Sequence, residues 1–267
     1  MKHLLVPVLL LVTISMVRAD TWDDAKAAYG SGDYATAIEL FRELGEDGHA
    51  GSQLNAGIMY DHAQGVTQDY AEAAKWYHLA AEQGQSEAQF AFGNLHHHGF
   101  GVSRSPAEAV KWYRLAAEQG HVEAQNNLGA MYHLGEEVPQ DHAEAVKWYQ
   151  LAADQGLADA QHNVGFMHRN GLGVPQDHTQ AVHWYRLAAE QGRTGAQKDL
   201  GIHYALGLGI TQDYVQAYKW LEVASSRETD PTVRETAANA RDTVATEMTS
   251  DQITEAQKLV QEWKPEE

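Results

Sequence analysis

The stretch Ala107–Gly135, AEAVKWYRLAAEQGHVEAQNNLGAMYHLG, decides the fold, because it recurs almost intact 36 residues before and 36 residues after itself. Trp76, Trp112, Trp148, Trp184 and Trp220 mark five registers of that period. The same spacing carries Ala37, Ala73, Ala109, Ala145, Ala181 and Ala217, and the two glycine series Gly48, Gly84, Gly120, Gly156, Gly192 and Gly57, Gly93, Gly129, Gly165, Gly201. A period of this length belongs to a solenoid, in which a unit buries its apolar face only by stacking on its neighbours. Each period holds two helices. Ala73, Trp76, Tyr77, Ala80 and Ala81 fall on one helical stripe that Gly84 terminates. A second stripe, Ala88, Phe92 and His96, ends at Gly99-Phe100-Gly101-Val102, whose glycines supply the turn. Alanines let the helices approach closely, and each Trp offers roughly 150–250 Å² for burial, so the Trp series reads as core.

These runs resemble the Sel1-like repeat, a relative of the tetratricopeptide repeat, over about residues 33–228. The resemblance implies an all-α, right-handed α-solenoid of helix pairs. Residues 20–48 form a tetratricopeptide-like pair, 49–228 the Sel1-like repeats and 229–267 capping helices. Two departures stand out. Leu40-Phe41 occupy the place of Trp-Tyr, and Gly135-Glu136-Glu137-Val138 replaces the Gly-x-Gly-Val turn, which puts that turn's conformation in question.

Sorted by angle about Gly57, Gly93, Gly129, Gly165 and Gly201, the helix residues fall on two faces. One stays small and apolar. The other varies between repeats, and in related proteins that face lines the groove where partners bind. Carried over, the groove holds Leu54, Ile58, Asp61 and His62, then Glu87, Phe90, Asn94, His97 and His98. Glu123, Asn126, Ala130 and His133 follow, then Asp159, His162, Phe166, Arg169 and Asn170, and finally Lys198, Ile202 and Ala205. Asp61, His97, His133 and Arg169 are 36 apart and are expected to form a polar ladder that holds a protein or peptide. The competing reading is a merely solvated helix face.

Outward from the repeats, residues 1–19 read as a signal peptide: Lys2 opens it, an apolar run from Leu4 to Val17 follows, and Ala19 precedes Asp20. That run is shorter than the roughly 17–25 residues a membrane-spanning helix needs, so no stable insertion is expected after cleavage. An uncleaved anchor is the alternative. Export to the periplasm, or beyond the cell, follows from the leader. At the other end Asp230-Pro231 and Ser250-Asp251 open two helices expected to cap the stack, the alternative being a docking tail.

The chain has no cysteine, so stability rests on packing rather than disulfides. Its net charge of −18 repels phosphate backbones and anionic headgroups and favours a neutral or basic partner over nucleic acid. Fifteen histidines raise the question of metal. Consecutive helical residues point about 100° apart, so His96-His97-His98 does not converge on one ion. His96 takes the place of Tyr60 and Tyr132 and is expected in the core. His97, His133 and Asp61 form at most a weak zinc or nickel site, and His142 and His178 substitute for Tyr70 and Tyr214. No cofactor is expected. The nucleophile and phosphate-loop signatures Gly-x-Ser-x-Gly, Ser-x-x-Lys, His-Glu-x-x-His and Gly-x-x-x-x-Gly-Lys are missing, so the chain reads as a non-enzyme. The resemblance leaves one enzymatic alternative, β-lactam or cell-wall-peptide binding or hydrolysis. It is weakened because the cysteine-rich relatives that suggest it carry disulfides this chain lacks. Among non-enzymes, the exported relatives include envelope regulators, host-interaction factors and toxin-immunity proteins.

Overall fold

Alternating aspartate caps and glycine stops divide the chain into helices of nearly constant length. The computed structural model describes residues 21–265, so the stretch 1–19 expected to be a signal peptide lies outside the described residues. Helix α1 is described over residues 21–31. It is followed by α2 (Tyr34–Glu46), α3 (Ala50–Asp61), α4 (Tyr70–Glu82), α5 (Ser86–His98), α6 (Pro106–Glu118), α7 (Val122–Leu134) and α8 (His142–Asp154). Then come α9 (Ala158–Asn170), α10 (His178–Glu190), α11 (Thr194–Leu206), α12 (Tyr214–Arg227), α13 (Pro231–Ala245) and α14 (Ser250–Glu262). The fold is all-α, a repeat of packed helix pairs with capping helices. Two compact units divide inside α7, between Ala124 and Gln125.

In the first unit α2 packs on α3, α3 on α4, α4 on α5 and α5 on α6. Its core joins Ala73, Tyr77, Ala80, Ala88, Phe92, Leu95 and Trp112. In the second, α8 to α12 pack in chain order, and α12 also receives α13 and α14. Trp263, just past α14, meets Trp220 edge-on at 5.8 Å and lies under the Arg227 guanidinium at 4.5 Å. The last repeat's apolar end is covered there, as a solenoid requires of its terminal units.

Side-chain hydrogen bonds reinforce the repeat. Asp69, Asp141, Asp177 and Asp213 each accept from backbone N–H groups in the first turn of the helix they precede, and Ser105 does the same for α6. A glutamine series sits inside. Buried Gln89 donates to Ala81 O at 3.1 Å and accepts from Gln119 Nε2 at 2.7 Å. Gln53 is bonded in the same way by Gln83, Gln125 by Gln155 and Gln161 by Gln191.

The question over the third turn is answered by its dihedral angles. Gly135 and Glu137 both take positive φ, +75° and +58°, matching Gly99 (+78°) and Gly101 (+67°) one repeat earlier. The turn is kept, with a non-glycine residue in the left-handed region at a cost of about 1 kcal/mol. Glu137→Gly is therefore expected to stabilise the second unit by roughly that amount, read as a higher urea midpoint. A lowered midpoint would count against this account of the turn.

Candidate protein-binding faces

The varying positions lie on α3, α5, α7, α9 and α11, and two devices fix them. The first is a linker side chain that reaches back to the last turn of the helix. Gln68 donates to Asp61 O at 2.6 Å, Arg104 to His97 O at 3.0 Å, Gln140 to His133 O at 2.8 Å and Gln176 to Arg169 O at 2.8 Å. The second is a tyrosine of the following helix whose ring lies on the recurrent glycine. A Cβ on Gly93 would sit 2.8 Å from Tyr113 Cδ1, and one on Gly165 would sit 2.7 Å from Tyr185. Glycine there lets the phenol reach the varying face.

In the first unit Tyr77 Oη donates to Asp61 Oδ2 at 3.1 Å, and burial followed by the Asp61 charge keeps that phenol protonated far above its ordinary range. Tyr113 Oη donates to Asn94 Oδ1 at 2.6 Å, and its ring lies near His97 and Phe90. Phe90 also stacks on His121, with centroids 4.5 Å apart. Glu87 and Glu123 approach the two nitrogens of His121, at 3.1 and 3.4 Å. His98 stacks on exposed Phe100, while exposed His62 turns back to Ile58 O. His96 packs edge-on against Phe92.

In the second unit His133 Nδ1 lies 3.3 Å from His142 Nδ1, and the His133 ring meets Phe166 edge-on at 5.9 Å. Asn163 donates to Asn126 at 3.0 Å, Arg193 pairs with Asp159 at 2.6 Å, and Asn170 bonds to Phe166 O on its own helix. His162, Arg169 and Lys198 converge on a residue that the sequence reading passed over, Asp199. Burial alone would raise the Asp199 carboxyl. The His162 hydrogen bond and the charges of Lys198, His162 and Arg169 hold it below the usual carboxylate range instead. Among the described residues, no group of three or more His, Cys, Asp or Glu is placed to hold a metal ion.

One more residue was missed. His203 is fully buried where the earlier repeats have Met59, Leu95, Met131 and Met167, and among the described residues its Nε2 has no hydrogen-bond partner. Burial lowers it, and burial also lowers His133 and His168. These histidines take up protons in the unfolded chain from about pH 6.5 downward but in the folded chain only at lower pH. Their contribution to stability is thus complete above about pH 6.5 and is lost as pH falls through the folded values, by up to about 1.4 kcal/mol per pH unit for each. His203→Met is expected to stabilise the second unit by about 1–2 kcal/mol and to flatten the loss between pH 7 and pH 5. Urea titrations at both pH values check this, and an unaltered pH slope would count against it.

A tandem of helix pairs with an invariant packed side and a varying half-exposed side defines a helical-repeat protein. Residues 50–85, 86–121, 122–157, 158–192 and 194–228 each match the Sel1 repeat, and the chain belongs to that family. It is similar to a Sel1 repeat protein from Oxalobacter formigenes, with 33% identity and a TM-score of 0.73 over 77% of this chain and 85% of that one. It is also similar to a protective antigen present in uropathogenic Escherichia coli strains, with 30% identity and a TM-score of 0.61. That match covers 90% of this chain but spans 60% of the antigen's length. No curated protein matches the sequence. Among the described residues no helix is long and apolar enough to cross a membrane.

Proposed function

We propose that this chain is an exported binding protein that holds a protein or peptide on the varying faces of its Sel1 repeats. One observation carries the reading: on the second helix of the repeat, one register position changes its side chain from repeat to repeat and stays half-exposed, while the small residue two positions before it is buried every time. Phe90, Asn126, His162 and Lys198 occupy one register position, and all four are partly accessible. Ala88, Ala124, Ala160 and Ala196 occupy another, and all are 0% exposed. Tyrosine hydroxyls hold the Asp61 and Asn94 side chains, and linker glutamines fix the backbone at Asp61, His133 and Arg169, which lowers the ordering cost of binding. The acidity of the chain favours a neutral or basic partner, and the leader places the encounter in the periplasm or outside the cell. Envelope regulation, host contact and toxin neutralisation are the roles that fit.

The test is capture from envelope extracts with the wild-type chain and with a variant carrying Phe90→Ala, His97→Ala, His133→Ala and Phe166→Ala together. The expected result is a protein retained by the wild type and lost by the variant, with the circular dichroism spectrum unchanged. Equal recovery by both chains would remove the reading.

A further inference from the structure

Asp199 and the cations around it set the fourth and fifth repeats apart. The register position of Asp199 holds Asn55, Ala91, Asn127 and Asn163 elsewhere, that of Lys198 holds Leu54, Phe90, Asn126 and His162, and that of Arg169 holds Asp61, His97 and His133. Lys198 and Asp199 bring fixed charge to rows that otherwise have none, and Arg169 is a fixed cation in a row that otherwise holds an acid or a histidine. Asp199 is 5% exposed. Its Oδ2 lies 2.9 Å from His162 Nε2, and its Oδ1 lies 3.4 Å from an Arg169 terminal nitrogen and 3.5 Å from Lys198 Nζ.

A buried carboxylate needs compensation, and one well-placed cation supplies it. Here two fixed cations and a histidine share one negative charge, so at least one positive charge is left over even with the imidazole neutral. The surplus faces outward, because the Arg169 side chain is 38% exposed and that of Lys198 is 23% exposed. In a chain of net charge −18 this is a local reversal of sign. Asp199 meets Arg169 at one terminal nitrogen, and the Tyr185 hydroxyl also engages the guanidinium, whose outer side stays open to solvent. Phe166, one turn earlier on α9, is 37% exposed and offers an apolar contact beside it.

The geometry points to a carboxylate-binding subsite formed by Arg169, Lys198 and His162, with Asp199 as the buried anchor that orders them. A carboxylate matches the guanidinium fork and carries the single charge the surplus can neutralise. A phosphate dianion would overfill it and would meet the Asp199 charge through a poorly screened medium. The inference rests on the binding reading above and adds to it that the partner, neutral or basic as a whole, places one acidic group here, from a side chain or from its chain terminus.

The experiment follows the amide shifts of the full chain on titration with three probes and with inorganic phosphate. The probes are an acetylated apolar tripeptide with a free C-terminus, its amide, and an amidated peptide with one internal glutamate. Binding of at least one carboxylate probe, with shifts centred on α9 and α11, is expected, together with weaker binding of the amide and of phosphate. Preference between the two carboxylate probes tells terminus from side chain. Arg169→Gln with Lys198→Gln is expected to weaken the preferred probe roughly tenfold. Asp199→Asn, which keeps the shape and removes the anchor's charge, is expected to shift the Arg169 side-chain resonances. No binding, equal binding of the amide, tighter binding of phosphate, or unchanged affinity in the double variant would each overturn the subsite. If a captured partner is lost by the four-alanine variant but retained by the double glutamine variant, the subsite falls and the binding reading stands.

Discussion

Trp112→Ala is expected to cost the first unit roughly 3–5 kcal/mol, the usual loss for deleting a large aromatic from a packed core. Trp112 is 6% exposed, meets Phe92 edge-on at 5.3 Å and His78 at 5.9 Å, and belongs to the same buried cluster as Tyr77 and Leu95. A repeat array is stabilised by contacts between neighbours, so the loss should be felt first in α4, α5 and α6. Hydrogen exchange reports it directly, with the slowest amides of those helices expected to exchange two to four orders of magnitude faster, at about 1.4 kcal/mol per decade. His98→Ala, at the exposed end of α5, serves as the contrast and is expected to change stability by no more than about 0.5 kcal/mol. Trp112→Phe should fall between them. The indole N–H of Trp112 is buried without a hydrogen-bond partner among the described residues, so phenylalanine gives up area but also removes an unsatisfied donor. If Trp112→Ala left the exchange of α5 unchanged, the Trp series would have to be something other than core.

The contrast between these positions shows what the sequence made legible. A 36-residue period identifies repeats, and within it the residues that never change must be those every interface needs. Trp, Ala and Gly could therefore be assigned to packing, and the changing rows to an accessible face, before any coordinates. Polar residues that also never change were harder. Gln89 and Gln119 keep the period as faithfully as Trp112, yet a glutamine on a helix is ordinarily read as solvated. Their bond is formed between residues 30 apart, and only the packed array brings them together.

Asp199 was missed for a related reason. Its row otherwise holds Asn or Ala, and a change to Asp carries no sign of burial until the neighbouring turns supply His162, Arg169 and Lys198. The signal that could have found it was a fixed cation at Arg169, in a row that otherwise holds an acid or histidine, followed one repeat later by Lys198-Asp199 in rows otherwise without fixed charge. The expected ladder through Asp61, His97, His133 and Arg169 is described more fully by the partners each residue takes. Asp61 holds a tyrosine hydroxyl, His97 lies against Tyr113, His133 faces His142, and Arg169 reaches Asp199. Angular sorting on one helix places residues on a face but says nothing of what the next helix and linker bring against them.

Gly101→Ala is expected to be as damaging as the loss of a core aromatic, although the residue is exposed and the change adds one methyl group. Two glycines end α5, and both have positive φ, Gly99 at +78° and Gly101 at +67°. Alanine at Gly99 pays the left-handed penalty of about 1 kcal/mol, and its nearest neighbour, Arg104 Cβ at 3.0 Å, is a tight contact but not a collision. At Gly101 the same penalty is joined by collision with a backbone. Its Cβ would lie 2.1 Å from Tyr70 O, 2.2 Å from Tyr70 C and 2.5 Å from Ala71 N, all in the first turn of α4. Neither side can yield without moving the start of a helix whose cap, Asp69, is fixed by bonds to Ala71 N and Glu72 N. The turn of one pair is wedged against the helix of the pair before it, so the substitution opens the joint between repeats. A cost of roughly 3 kcal/mol or more is expected for Gly101→Ala against about 1 for Gly99→Ala. Urea denaturation of the two variants side by side measures the difference, since both share the left-handed cost and only one meets the carbonyl. Equal midpoints would mean that α4 is free to move away, and that close backbone contact at this glycine is not what sets the spacing of the repeats.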